Sequence, residues 1–188
     1  MNIREAKPND IEDILSVQSE VLLEENSNLS KEDLELKGFL KNKITKKELK
    51  NIFQGNSDCI LLVAEEDNNI TGYLLAYNFI DWSKSHKEWE NKINLNVPKD
   101  KVINQKTLYY KHIASKRSVE GVGKKLHNRF IEIAKKKDYK RIIGEIMNEP
   151  YKNRLSEAFH KKLGYKRIGS IRYKDGTSWN LVIKKIQE

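Results

Sequence analysis

The chain has 188 residues, of which 38% are hydrophobic and 34% are charged, a composition typical of one soluble domain. No run approaches the roughly 18 apolar residues of a membrane-spanning helix. The N-terminus lacks the apolar core of a signal peptide, and the single cysteine, Cys59, excludes an internal disulfide and a cysteine zinc site. We therefore expect a cytoplasmic protein with one domain over residues 1–188.

The formal net charge of +9 favours anionic partners, among them nucleic acid, acidic proteins and phosphate-bearing cofactors. The lysines are nevertheless spread along the whole chain. The local run Lys135–Lys137 closes a predicted helix, where cations suit the helix dipole. This distribution favours a solvated basic surface over a nucleic-acid groove.

The first half of the chain predicts a strand, two helical stretches and a hairpin. Pro8 stands near the start of the first helix, and Ser30 is a suitable N-cap for the second, which Gly38 and Thr45 interrupt. The apolar run that begins at Cys59 is too short for a helix and is bounded by polar residues, which indicates a buried strand. The predicted elements are a strand at Ile3–Glu5, a helix from Pro8 to Leu22, a helical stretch from Ser30 to Phe53, and hairpin strands at Cys59–Ala64 and Ile70–Phe79.

In the second half, strands and helices alternate after a polar stretch from Asp81 to Gln105. The predicted strands are Thr107–Ala114, Arg141–Met147, and a last hairpin of Tyr165–Tyr173 with Trp179–Ile186. One helix opens at Gly121, and another runs over Asn153–Leu163 with Leu155, Ala158, Phe159 and Leu163 facing inward. The order β-α-α-β-β-β-α-β-α-β-β predicts an α/β fold, in which one mixed sheet carries helices on its faces.

Two glycines, Gly121 and Gly123, follow a predicted strand and open an amphipathic helix. Glycine permits a positive φ and lets the backbone approach a ligand closely. Several N–H groups then point outward at a helix N-terminus, where the dipole favours an anion. This pattern predicts a diphosphate site, although the same glycines also suit a tight strand–helix turn that serves packing alone.

A second segment places three polar residues on one face of the last helix. Asn153, Ser156 and His160 follow one another at helical spacing, beside an apolar stripe. The simpler interpretation is a solvent-facing side that carries a histidine by chance.

Together the two segments resemble the acyl-CoA-binding motif and the following strand–helix motif of the GNAT N-acetyltransferases. The resemblance covers essentially the whole chain and is strongest from Thr107 to Tyr165. The run Phe159-His160-Lys161-Lys162-Leu163-Gly164-Tyr165 is similar to a subgroup with Phe-His in place of the usual Leu-Tyr. The resemblance implies a GNAT-like fold, acetyl-CoA as acyl donor without a metal, and an amine acceptor that is a small molecule or a peptide.

The resemblance also implies where acetyl-CoA binds, between the strands of Thr107–Ser115 and Arg141–Met147, which splay apart. Backbone groups near Ile113 and Ser115 would hold the pantetheine arm and the thioester carbonyl. The diphosphate would lie on the turn of Val119, Glu120, Gly121, Val122, Gly123 and Lys124, and the thiol end would lie between Asn153, Ser156 and Phe159. The chain departs from the family pattern at Ser118, where Arg or Gln is usual and Arg117 stands one place early.

Acyl transfer needs a neutral amine, and an amine like that of lysine has a pKa of ~10.4, so a base must take its proton. Glu145 is the best candidate base, although its carboxylate can also simply face solvent. A backbone N–H near Ile113 is the expected oxyanion donor.

His160 replaces the usual proton-donating tyrosine and is the expected acid, or else it hydrogen-bonds the cofactor. His112 is an alternative candidate for the acid. Cys59 fits the core better than a nucleophile's role.

Trp82 and Trp89 would share one face if their segment is helical, and they would then wall an apolar or cationic pocket for the substrate. The alternative is that both only anchor the segment to the core.

For the whole chain, the alternative to an enzyme is a noncatalytic GNAT-like domain that binds acyl-CoA as a regulator. A nucleic-acid-binding protein would show strongly salt-dependent binding, but it gives no reason for the two motif segments. The sequence allows a homodimer and does not identify the amine.

Overall fold

Eight strands form one mixed sheet in the computed structural model, which describes residues 1–186. The strands are β1 (Asn2–Glu5), β2 (Cys59–Glu66), β3 (Asn69–Asn78), β4 (Ile93–Leu95), β5 (Thr107–Ser115), β6 (Arg141–Glu149), β7 (Lys166–Arg172) and β8 (Ser178–Lys185). Their order across the sheet is β1-β2-β3-β5-β6-β8-β7-β4. Only β5 and β6 pair in parallel, because the connection between them crosses over one face of the sheet.

Seven α-helices cover the two faces of the sheet in the described part of the chain. They are α1 (Ile11–Val21), α2 (Lys31–Lys37), α3 (Lys46–Phe53), α4 (Phe79–Ser85), α5 (Trp89–Lys92), α6 (Val122–Lys136) and α7 (Arg154–Lys162). One face packs against α6, whose Leu126 and Phe130 are fully buried among residues of the central strands. The other face packs against α1 and α3 at one end and against α4 and α5 at the other. None of the helices in residues 1–186 is long and apolar enough to cross a membrane.

The predicted mixed sheet and the order of its predicted strands along the chain are confirmed. The structure differs from the prediction in two connecting segments. The stretch from Ser30 to Phe53 is two helices, because Gly38 ends α2 at a positive φ of 72° and Thr45 caps α3 by accepting the Glu48 N–H. The polar stretch from Asp81 to Gln105 contains most of α4, all of α5, and the short edge strand β4, which the sequence did not predict.

The inward face predicted for α7 is wrong at two of its four positions, Leu155 and Ala158. Leu155 is 52% exposed and Ala158 is exposed, whereas Asn153 and His160 on the polar stripe are buried. The reason is that this helix lies beside a cleft rather than over the apolar core, so its polar stripe faces the open ends of β5 and β6. Phe159 is partly buried, as the sequence predicted, and Leu163 packs against the core at the end of the helix.

The strands β5 and β6 separate halfway along their length. They pair only from Thr107 opposite Arg141 to Tyr110 opposite Gly144, although both strands continue beyond these residues. At the same point Lys111 forms a β-bulge, since the consecutive residues of β3 opposite it pair with Tyr110 and His112. The edge of β5 that faces β6 therefore has no strand partner after Tyr110. Its peptide groups border an open cleft.

Candidate active site

The separation of β5 and β6 creates a cleft of about 1150 Å³ with two parts. The first, which we call the glycine arm, lies between the end of β5, the turn over residues 116–124 and α7. The second, which we call the aromatic arm, surrounds Glu145 on the opposite face of the sheet and is walled by Trp82, Tyr109 and Tyr173. The two parts meet where the strands diverge.

Gly121 shapes the turn of the glycine arm. Its φ is 74°, in the left-handed region, and a Cβ there would meet no heavy atom within 4 Å, so backbone conformation rather than space requires glycine. The first hydrogen bond of α6 runs from the Lys125 N–H to the Gly121 carbonyl. The N–H groups of Val122, Gly123 and Lys124 consequently have no partner within the helix, and they present the positive end of its dipole.

Cationic side chains surround these amides. Lys116, Arg117 and Lys124 line the glycine arm, and the described acidic residues lining the cleft, Glu145 and Asp175, belong to the aromatic arm. Glu20 approaches from α1, but it accepts the backbone N–H of Arg117 at 2.7 Å and leaves the guanidinium available. The arrangement suits a polyanion such as a diphosphate.

The glycine arm narrows where α6 meets α7. A Cβ at Gly123 would lie 3.4 Å from the Phe159 ring and 3.6 Å from Ile113, in ordinary van der Waals contact, so it would fit but would fill the space between these two side chains. Ser115 and Ser156 also line the passage. Of the residues predicted for this arm, Val122 packs in the core and contributes only its backbone, and Glu120 is exposed on the outer side of the turn.

Asn153 lines the cleft, yet its side chain is occupied within the protein. The Nδ2 group donates to the Phe39 carbonyl at 2.7 Å, and Oδ1 accepts the Ser156 N–H at 3.1 Å and so caps α7. Asn153 therefore ties the α2–α3 loop to the start of α7.

His160 is buried in the glycine arm and is held as a neutral imidazole. Its Nδ1 lies 2.7 Å from the Ser156 carbonyl oxygen, which assigns the proton to Nδ1 and leaves Nε2 as an acceptor. Burial lowers its pKa to about 4. His112 has a pKa lowered to about 3, also by burial, and its Nδ1 lies 3.1 Å from the Tyr73 hydroxyl, on the other face of the sheet. Cys59 packs against the core there, away from the cleft.

Glu145 is the centre of the aromatic arm. Its Oε1 accepts from Trp89 Nε1 at 2.6 Å and from the Tyr109 hydroxyl at 3.1 Å, and its Oε2 accepts from the Tyr173 hydroxyl at 2.9 Å. Burial raises the pKa of this carboxyl group, and the three hydrogen bonds oppose that rise only in part. The carboxylate forms no ion pair within residues 1–186. It faces the cleft rather than open solvent.

The two tryptophans lie in different helices, so the shared helical face considered for them does not exist. Trp82 stacks on Tyr109 with ring centroids 3.7 Å apart and lines the cleft. Trp89 is 3% exposed and lies behind Glu145, to which it donates. Sequence reasoning missed Tyr109 and Tyr173; Tyr109 can be found by alternation along β5, but nothing local marks Tyr173 as a partner of Glu145.

No group of three or more His, Cys, Asp or Glu side chains that could hold a metal ion occurs among residues 1–186.

Comparison with known proteins points to one family. The sequence model described as "Acetyltransferase (GNAT) family" matches residues 24–165. No curated protein matches the chain significantly.

Solved structures share the fold over nearly the whole chain. An N-acetyltransferase from Staphylococcus aureus Mu50 is 18% identical with a TM-score of 0.63, covering 99% of this chain and 98% of that one. The PaiA N-acetyltransferase of Thermoplasma acidophilum in complex with coenzyme A is 19% identical with a TM-score of 0.65 and 98% coverage of each chain. YncA of Salmonella typhimurium, a putative acetyltransferase with its cofactor acetyl-CoA, is 15% identical with a TM-score of 0.66, covering 100% of this chain and 95% of that one.

Proposed function

The chain belongs to the GNAT acetyltransferase family, and from this premise we propose that it transfers the acetyl group of acetyl-CoA directly to a primary amine.

The strongest support for an amine acceptor is that the Glu145 carboxylate has no cationic partner within residues 1–186. Glu145 is partly buried in the wall of the cleft, and a carboxylate with restricted access to water is stabilised by a cation, because its charge is poorly solvated there. Trp89, Tyr109 and Tyr173 supply three neutral hydrogen bonds, while a carboxylate offers about four acceptor positions. An incoming ammonium group supplies both the missing charge and the remaining hydrogen bond.

The glycine arm fits the other substrate. Acetyl-CoA would supply the acetyl group as a thioester. The N–H groups of Val122, Gly123 and Lys124, with the side chains of Lys116 and Arg117, suit its diphosphate. The passage between Ile113 and Phe159 is apolar on both sides, which suits the pantetheine arm. The unpaired edge of β5 near Ile113 offers backbone donors for a developing negative charge on the carbonyl oxygen.

Two side chains handle protons in this proposal. Glu145 takes a proton from the bound ammonium at its carboxylate, and its raised pKa makes it a stronger base than an exposed carboxylate. The neutral amine then attacks the thioester carbonyl, and the C–S bond breaks as the C–N bond forms. His160 is neutral with a free Nε2, so it would take the second proton, which the attacking nitrogen releases, and pass it to the leaving sulfur. Asn153 positions the start of α7 beside both substrates through its bonds to Phe39 and Ser156.

The test is turnover on an amine panel. Purified protein is incubated with acetyl-CoA and amines of varied size and charge, free thiol is followed over time, and acetylated products are identified by mass spectrometry. Binding of acetyl-CoA is measured separately by calorimetry. Binding together with acetylation of any panel amine supports the proposal, whereas binding without transfer to any amine supports a noncatalytic acyl-CoA-binding domain instead.

A further inference from the structure

The chemistry of the aromatic arm narrows the acceptor to one class of amine. Resting on the proposed function, we infer that the acceptor is a monoamine with an aromatic or apolar body next to its nitrogen and a negatively charged group at its far end. Three features of the arm lead to this class: its walls, its supply of carboxylates, and the charges at its mouth.

The walls of the arm are aromatic. Trp82 stacks between Tyr109, at 3.7 Å between ring centroids, and His86, at 4.3 Å. Tyr173 and Trp179 face each other edge to face at 6.4 Å, and both line the cleft. Because both faces of Trp82 are covered, it presents its edge to the cleft, and together with Tyr173 and Trp179 it forms an apolar surface that loses water favourably to an apolar group. The part of the acceptor that follows the nitrogen is therefore apolar.

The inner part of the arm offers one carboxylate, that of Glu145, for an ammonium group. Asp175, the other acidic residue that lines the cleft in the described part of the chain, is exposed in the turn between β7 and β8. Its Oδ1 accepts the Thr177 backbone N–H at 3.0 Å and the Thr177 hydroxyl at 2.7 Å, and these bonds lower its pKa, so it stays ionised. A second positive charge next to the first would thus find no second carboxylate beside Glu145.

Lysines stand at the mouth of the arm. Lys41 belongs to the α2–α3 loop and Lys174 to the turn between β7 and β8, and both are exposed and line the cleft. Neither makes a direct ion pair within residues 1–186, although Lys41 helps to lower the pKa of Asp175 and Lys174 helps to lower the pKa of Glu88. A third lysine, Lys92, is held by Glu88 and lies 5.7 Å above the Tyr173 ring. The mouth thus carries the three ammonium groups of Lys41, Lys92 and Lys174 near the two carboxylates of Asp175 and Glu88, and the remaining positive charge favours an anion at the far end of a bound acceptor.

Amidated dipeptides test this class through the charge at the far end of the acceptor. Phenylalanyl-glutamate, phenylalanyl-glutamine and phenylalanyl-lysine share the N-terminal amine and the aromatic body. The lysine peptide also carries an ε-amine, so mass spectrometry must show which nitrogen is acetylated, and rates are compared for the N-terminal amine. We expect kcat/KM to fall in that order, by about tenfold from the first to the last, which corresponds to about 1.4 kcal/mol. Spermidine serves as the polycationic comparison and should be the poorest acceptor.

A charge-reversal pair shows whether the mouth lysines cause the preference. The double variant Lys41→Glu with Lys174→Glu should reverse the order of the dipeptides mainly through the amine KM, leaving the KM for acetyl-CoA unchanged. The control is Lys47→Glu with Lys50→Glu, which changes the net charge equally on exposed residues of α3 outside the cleft. An order that stays the same in the mouth variant overturns the inference.

The outcomes also separate this inference from the proposed function. If kcat/KM is higher for spermidine or phenylalanyl-lysine than for phenylalanyl-glutamate, the proposed acetyltransferase activity stands and the inferred class of acceptor is overturned. If no dipeptide is acetylated, the inference is tested by the charge of the panel amine that is acetylated. An acceptor with two or more positive charges counts against the inference. Transfer to no amine at all defeats the proposed function itself.

Discussion

The two arms of the cleft differ in how their residues are distributed along the chain. The glycine arm is built largely from consecutive residues, with the end of β5, the turn at Gly121 and the start of α6 all within residues 113–124. The aromatic arm gathers Lys41, Trp82, Tyr109, Glu145 and Tyr173 from five separate segments. The first uses backbone N–H groups in one local conformation, and the second uses side chains brought together by the sheet.

This difference explains why one arm is recognisable in the sequence and the other is not. An array of backbone amides requires a particular turn, and such a turn requires glycine at a fixed place, so the pattern is local. A side-chain pocket imposes no spacing along the chain. Its residues can come from any elements that the fold brings together, and the following substitutions test the two arms against each other.

The largest effect is expected from Glu145→Gln. The amide keeps the shape and accepts hydrogen bonds at one atom, but it cannot take the proton of the amine, so kcat should fall by about 10²- to 10⁴-fold. The affinity for acetyl-CoA, measured by calorimetry, should not change. Glu149→Gln is the control, since Glu149 lies on the same strand but is exposed and pairs with Arg172. Equal activity in both variants would remove Glu145 from the proposed chemistry.

His160→Phe should lower kcat by about 10²-fold at pH 7 if the imidazole passes a proton to the leaving sulfur. The phenyl ring would keep the contacts with Tyr110 and Tyr165 but would lose the hydrogen bond to the Ser156 carbonyl, so thermal melts must first establish that the variant folds. The measurement is a comparison of kcat with the acetyl-CoA dissociation constant. A weaker dissociation constant at unchanged kcat would instead assign His160 to binding.

In the glycine arm, Gly121→Asp should weaken acetyl-CoA binding at least tenfold, or ~1.4 kcal/mol, by straining the turn and adding a negative charge beside the amides. Gly55→Asp is the matched control. Gly55 has a similar positive φ of 77° and open space around it, but it lies in the loop after α3, outside the cleft. Calorimetry on both folded variants separates an anion site from a strained loop. Equal losses in the two would place the anion elsewhere.

Substitutions of the two tryptophans should have smaller effects on the reaction, and each should change a different kinetic property. Trp89→Phe removes a hydrogen bond that lowers the pKa of Glu145, so that pKa rises further above its ordinary value of 4.5. Because the ionised form of Glu145 is the base, kcat/KM falls as pH drops through this pKa, and the acidic limb of the profile moves to higher pH. The check is a pH–rate profile for both proteins.

Trp82→Phe is the companion variant. It keeps an aromatic ring but reduces the stacking area over Tyr109, so the amine KM should rise a few-fold while the acidic limb of the pH profile stays in place. A shifted limb in this variant, or an unshifted one in Trp89→Phe, would contradict the division of roles between a cleft wall and a support of Glu145.

The sequence by itself determined the sheet, most element bounds and the turn at Gly121. Alternating or short apolar runs indicate a strand regardless of which strand it pairs with. Gly121 has a left-handed conformation that favours glycine at this position. The turn between β2 and β3 is local in the same way, because Asp67 and Asn68 both have positive φ, which Asp and Asn tolerate better than most residues.

Only the tertiary structure decided which side chains face one another. Periodicity assigned Leu155 to the core, but the cleft beside α7 leaves it exposed and buries His160 instead. Nothing in the local sequence pairs Tyr173 with Glu145, because that contact depends on β8 lying between β6 and β7 in the sheet. Local sequence patterns indicate the conformation of one segment. The environment of Glu145, whose carboxylate accepts from three donors, forms only when distant strands pair in the sheet.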